Sequence, residues 1–181
     1  LTLIGLAEAT AIFFSVPILV VLLSIPLLGE RVGWRRLFAV TLGFVGMLVI
    51  VRPGTGVVGI GAMLTFGAAI CASLFNIITR KLADEDPLPV TMFYTALVGA
   101  VIVMAIMPFI WETPVLWQQW AALGMIGLFG GAAHCAMIAS HAFAPASTVA
   151  PFMYSQIFWA IGFGYVLFGA LPDEYTLIGC V

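Results

Sequence analysis

Residues 8–31 read EATAIFFSVPILVVLLSIPLLGER. Glu8 and Glu30 bracket 21 residues without a charge, rich in Leu, Val, Ile and Phe. A helix rising ~1.5 Å per residue needs roughly 20 such residues to cross a ~30 Å hydrocarbon core. The stretch is therefore expected to span a membrane, and the rest of the chain follows the same grammar. Charge-free runs also cover 37–51, 53–79, 87–111 and 113–172. The run at 37–51 reaches full length if Trp34, Arg35 and Arg36 begin their helix among the headgroups, where arginines snorkel. The run at 113–172 is long enough for two crossings, with its break expected between Ala142 and Thr148, where Pro145, Ser147 and Thr148 interrupt the apolar pattern. Six spans result, at about 9–28, 34–51, 59–79, 90–110, 119–140 and 148–170, with a seventh starting near Tyr175.

Composition points the same way. Of 181 residues 64% are hydrophobic and 8% charged, with mean hydropathy +1.22. A soluble domain carries about 25% charged residues, because its surface faces water. The fold class is thus an all-α polytopic membrane bundle. Period-two alternation is missing, which argues against a β-barrel. A net charge of −2 and the single lysine, Lys81, leave no basic stripe for nucleic acid. Cys71, Cys135 and Cys180 are widely spaced in apolar runs and read as small buried residues rather than as a disulfide or metal set. No basic segment precedes the first apolar run, so no signal peptide is visible, and both ends are expected to be cuts.

Lys and Arg set the orientation. The connections after spans one, three and five hold Arg31, Arg35, Arg36, Arg80 and Lys81, whereas the opposite side holds only Arg52. Five against one places the first group in the cytoplasm. Trp111, Trp117 and Trp120 then mark the outer interface.

The chain also resembles itself. Ala7-Glu8-Ala9-Thr10-Ala11-Ile12 answers Ala144-Pro145-Ala146-Ser147-Thr148-Val149 at an offset of 137, and Leu28-Gly29-Glu30 answers Phe168-Gly169-Ala170 at 140. The change of offset implies about three extra residues in the later helix. The two copies enter the membrane from opposite sides, an inverted-topology arrangement used by secondary transporters.

The stretch Ala7-Glu8-Ala9-Thr10, Pro17 and Leu28-Gly29-Glu30-Arg31, followed by Gly43, Gly46 and Arg52-Pro53-Gly54, resembles the end of the first repeat in EamA-type drug/metabolite transporters. The resemblance implies ten helices in two inverted five-helix repeats. Residues 1–53 would be the later part of the first repeat, and 54–181 most of the second. Where the first repeat has Gly29-Glu30 the second has Gly169-Ala170, with acids displaced to Asp173 and Glu174. That departure argues against a direct substrate role for Glu30.

Several residues are candidates for a solute path. Pro17 and Pro151 lie early in the two matching helices, where a proline frees a carbonyl; the same residues also serve as plain kinks. His134, within Gly130-Gly131-Ala132-Ala133-His134-Cys135, is ionisable inside a span, which suits either a proton path or a packed hydrogen bond. Asn76, Tyr154, Gln156 and Trp159 offer polar or aromatic groups that serve a solute or a neighbouring helix. Glycines 43, 46, 124, 127, 130 and 131 are spaced for close helix packing.

The leading expectation is a secondary transporter that imports or exports a small organic metabolite. It needs a bilayer and a solute as partners, with no cofactor and no metal, and a homodimer is left open. The bacterial cytoplasmic (inner) membrane is its expected location. No G-x-x-x-x-G-K-[ST] supports ATP-driven pumping, and no H-E-x-x-H or paired acids support an intramembrane enzyme. A non-transporting structural membrane protein is the remaining alternative.

Overall fold

A computed structural model describes residues 6–51, 59–111 and 113–168. The described residues form helices α1 (Leu6–Phe13), α2 (Val16–Leu28), α3 (Trp34–Val51), α4 (Ile60–Leu82), α5 (Leu88–Ile110), α6 (Trp117–Phe143), α7 (Ala146–Val149) and α8 (Gln156–Phe168), with a 3₁₀ segment, Ala150–Ser155, between the last two. No strand occurs among them. The all-α polytopic bundle is therefore what the chain forms.

Residues 9–28, 60–82, 88–110 and 117–143 are each long and apolar enough to cross a bilayer. The expected span at 34–51 coincides with α3, and the break in the long run falls at Ala144 and Pro145. Two spans are not single straight helices. The first is interrupted at Phe14 and Ser15, and the last is assembled from α7, the 3₁₀ segment and α8. The starts of α2 and α8, Val16 and Gln156, lie 140 residues apart. It is the offset read from Leu28-Gly29 and Phe168-Gly169 in the sequence. The seventh span, Cys180 and the Asp173/Glu174 pair fall outside the described residues.

The chain divides into two compact units, one built from residues 1–78 with 144–181 and the other from 79–143. In the first, Ala11, Val16, Val20 and Val21 pack with Val40 and Met47 of α3, Ala69 of α4, and Ala146, Ala150 and Tyr154. In the second, α5 and α6 pair through the short turn at Trp111–Leu116, which Gln119 ties down by accepting the N–H groups of Val115 and Leu116 at 2.9 and 3.1 Å. The outward faces are overwhelmingly apolar: Phe109, Ile110, Ile126, Leu128 and Phe129 are all exposed. Water would penalise such a surface, and a bilayer does not. The protein is an integral membrane protein.

Polar residues inside the spans mostly satisfy themselves. Thr65, Ser73 and Thr95 each donate to the carbonyl four residues earlier, as hydroxyls in apolar helices commonly do. Two expectations about small residues need correction. Cys71 and Cys135 are exposed rather than buried, since an apolar run in lipid needs no protein around it. Glycines 124, 127, 130 and 131 leave open space, with nothing within 4 Å of an added Cβ. Gly43 does make the close approach expected of it.

Candidate functional site

The most elaborate packing in the first unit lies along α2, where the chain returns to it 116–140 residues later in sequence. At the α2 C-terminus Gly29 adopts the left-handed conformation (φ 66°, ψ 20°) and donates to the Ile25 carbonyl at 3.1 Å. A residue without Cβ takes this conformation at little cost. The turn delivers Glu30 to the start of α7. One carboxylate oxygen accepts the Ala146 N–H at 2.8 Å and the other the Ser147 N–H at 3.0 Å. First-turn amides have no partner within their own helix, and Pro145, the residue before α7, supplies no side-chain cap. Arg36 completes the clasp, its Nη1 donating to Ser147 Oγ at 3.0 Å. Ser147 is fully buried, while Glu30 and Arg36 are half-buried.

At the other end of α2 two interruptions meet. Ser15 turns its hydroxyl onto the Ile12 carbonyl at 2.6 Å, and Pro17 starts α2, where its missing N–H costs nothing. The Phe14 carbonyl accepts the Tyr154 hydroxyl at 3.1 Å, and the two rings stack with centroids 6.0 Å apart and planes 14° apart. Tyr154 sits at the end of the 3₁₀ segment that carries Pro151. Its ring lies flat against Gly43 of α3: an added Cβ would fall 2.5 Å from Cδ2. Ser73 of α4 reaches the same junction, its hydroxyl shared between the Ala69 and Val16 carbonyls at 2.7 and 3.4 Å. The α7 end thus lies at the end of α2 and the 3₁₀ segment at its start. The two interrupted elements run antiparallel.

The comparisons with known proteins cover both stretches, with residues 1–52 and 59–181 matching the EamA-like transporter family. The chain belongs to that family. This EamA-like chain is 27% identical over its whole length to an S-adenosylmethionine uptake transporter of Rickettsia felis. It is 25% identical over 95% of its length to a riboflavin transporter of Vibrio cholerae, and 24% over 98% to a pseudopaline exporter of Pseudomonas aeruginosa. It spans 61%, 58% and 63% of the lengths of those relatives. The crystal structure of a protein 20% identical in sequence superposes on 99% of the EamA-like chain with a TM-score of 0.84, and the match takes in 64% of that protein. The likeness concerns the fold.

Among the candidates read from sequence, Pro17, Pro151 and Tyr154 come together at the interrupted junction. Asn76 is buried on α4 one turn beyond Ser73, with its amide nitrogen donating to the Ala72 carbonyl at 2.8 Å. Gln156 and Trp159 are exposed on α8, and Trp159 stacks on Phe163 at 6.3 Å. His134 is half-buried on α6 in the second unit. Phe14, Ser73, Arg36 and Ser147 were not singled out as site residues. The offset of 140 carried a signal for Phe14, because it maps Tyr154 directly onto that residue. No group of three His, Cys, Asp or Glu side chains able to hold a metal occurs among the described residues.

Proposed function

We propose that this chain works as part of a secondary transporter that moves a small organic solute across the bacterial cytoplasmic membrane by alternating access. The observation that carries the reading is the antiparallel pairing of two interrupted helices, joined at Phe14 and Tyr154 on the same 140-residue offset that relates α2 to α8. Broken helices at the meeting of two repeats are where transporters of inverted topology place their solute. Residues 1–53 and 54–181 are the two repeat portions in this reading. Pro17, Pro151, Tyr154 and Asn76 belong to the solute path in this reading, Gln156 and Trp159 follow on α8, and His134 on α6 is the candidate titratable group. The residues gathered at the junction are aromatic rings and backbone carbonyls rather than charges, and the separation of the two elements in alternating access would offer them to a solute with a flat ring system. Two of the relatives are named for solutes with ring systems, S-adenosylmethionine and riboflavin.

The test is initial uptake by the full-length protein in proteoliposomes, against a panel of S-adenosylmethionine, riboflavin and unlabelled competitors. Saturable uptake of at least one ring-bearing solute, reduced at least tenfold by Tyr154→Ala at equal folded amount, is the expected result. Absence of counterflow and uptake for the whole panel refutes the transport reading.

A further inference from the structure

The clasp around Ser147 does more than cap a helix. It joins two elements that alternating access must separate, and it does so at the end that the Lys/Arg asymmetry places in the cytoplasm. Three features suit it to open. Glu30 and Arg36 are half-buried, so water receives both charges when the clasp lets go. The partner element is weakly built: α7 has four residues and passes straight into the 3₁₀ segment bearing Pro151. Beside the clasp the buried Thr148 hydroxyl has no hydrogen-bond partner among the described residues, and an unpaired buried hydroxyl favours any rearrangement that finds it one. The sequence adds that the acid is placed differently in the second repeat, which has Gly169-Ala170 where the first has Gly29-Glu30 and carries its acids at Asp173 and Glu174.

We propose that Glu30, Ser147 and Arg36 form the latch of the cytoplasmic gate, so that the resting protein is closed to the cytoplasm and release of the Glu30 carboxylate from the Ala146 and Ser147 amides opens it. This inference rests on the alternating-access reading above. In it Glu30 is a positioning residue, not a solute ligand.

The test uses the full-length protein with Cys71, Cys135 and Cys180 replaced and one reporter cysteine added. Ser24, for Ser24→Cys, lies on the buried face of α2 near the clasp, and Thr10, for Thr10→Cys, lies on α1 before the interruption, at the opposite end of the span. Membrane-impermeant thiol reagent is applied from each side without any solute. Glu30→Gln should raise cytoplasmic labelling of the Ser24 reporter by about tenfold, because two charge-assisted bonds are lost. The same change should lower outside labelling of the Thr10 reporter. Ser147→Ala, which keeps the carboxylate–amide bonds but loses Arg36, should give a smaller shift of the same signs. It also serves as the informative variant if Glu30→Gln does not accumulate. Unchanged labelling overturns the proposal, and so does faster labelling at both reporters, which would mark a merely structural clamp. Because no solute is used, a latch that responds in a protein without uptake would separate failure of the transport reading from failure of this one.

Discussion

Gly43 sets the strictest requirement on any single residue in the first unit. The face of the Tyr154 ring occupies the space where a side chain would begin. Gly43→Ala should therefore force the ring off Gly43 and lengthen the Tyr154 bond to Phe14. Overpacking of this kind costs roughly 1–3 kcal/mol. Gly67→Ala on α4, where nothing lies within 4 Å, should be within about 0.5 kcal/mol of the parent. Thermal unfolding of the two variants in detergent distinguishes them, and equal melting temperatures would remove the close approach from the account. Tyr154→Phe keeps the stack and loses only the hydroxyl, so it should cost about 0.5–1.5 kcal/mol, less than Tyr154→Ala. A double-mutant cycle of Tyr154→Ala with Phe14→Ala should show coupling, since each change removes one ring of the same stacked pair.

At the scale of elements, the interruption between α1 and α2 is the feature to perturb. Pro17→Ala restores an amide N–H that can donate to the Phe13 carbonyl and allows α1 to run on into α2. A continuous helix would take up the Phe14 carbonyl and leave the Tyr154 hydroxyl without its acceptor. The expected outcome is an unchanged or raised melting temperature with at least tenfold slower uptake, because interior proline costs a helix ~3 kcal/mol while the junction needs the break. Loss of stability with normal uptake would show the proline to be a packing residue. The span itself was legible in residues 9–28, for charge spacing reports the bilayer directly. The break was not, because Phe14 and Ser15 sit in a run that is apolar on every face. Pro17 flags it only three residues late, as proline at the start of a helix does. Asn76 shows how a polar residue inside a span finds a local partner, since its own helix supplies an acceptor for its amide. The role of Glu30 was less legible, because its partners are backbone amides, to which residue identity gives no clue.

For the whole molecule the testable property is sidedness. Two contacts agree with the orientation drawn from the basic residues. Glu30 ties the connection after α2 to the start of α7, and within the second unit Arg80 Nη1 donates to the His141 carbonyl at 2.9 Å, bringing the ends of α4 and α6 together. Single cysteines at Gly33 and Leu88 should accordingly resist impermeant thiol reagents in intact cells, whereas one at Thr113 should label. Reversed labelling would invert the topology and move the latch to the opposite face. The faces of α5 and α6 that both glycine spacing and apolar character suggested would be packed remain open, because helix periodicity shows that a face is apolar without showing whether lipid or protein covers it.

The turn between α5 and α6 has a use of its own. Trp111 and Trp120 lie 6.2 Å apart, and their indole N–H groups donate to Thr113 Oγ1 and the Pro114 carbonyl at 3.1 and 3.2 Å. Trp117 opens α6, so three of the five tryptophans of the chain belong to this hairpin. Intrinsic fluorescence should therefore report mainly on the depth of the hairpin. Lipids brominated near the carbonyl should quench it more strongly than lipids brominated near the terminal methyl, which makes emission a label-free gauge of how deeply this hairpin sits as bilayer thickness changes.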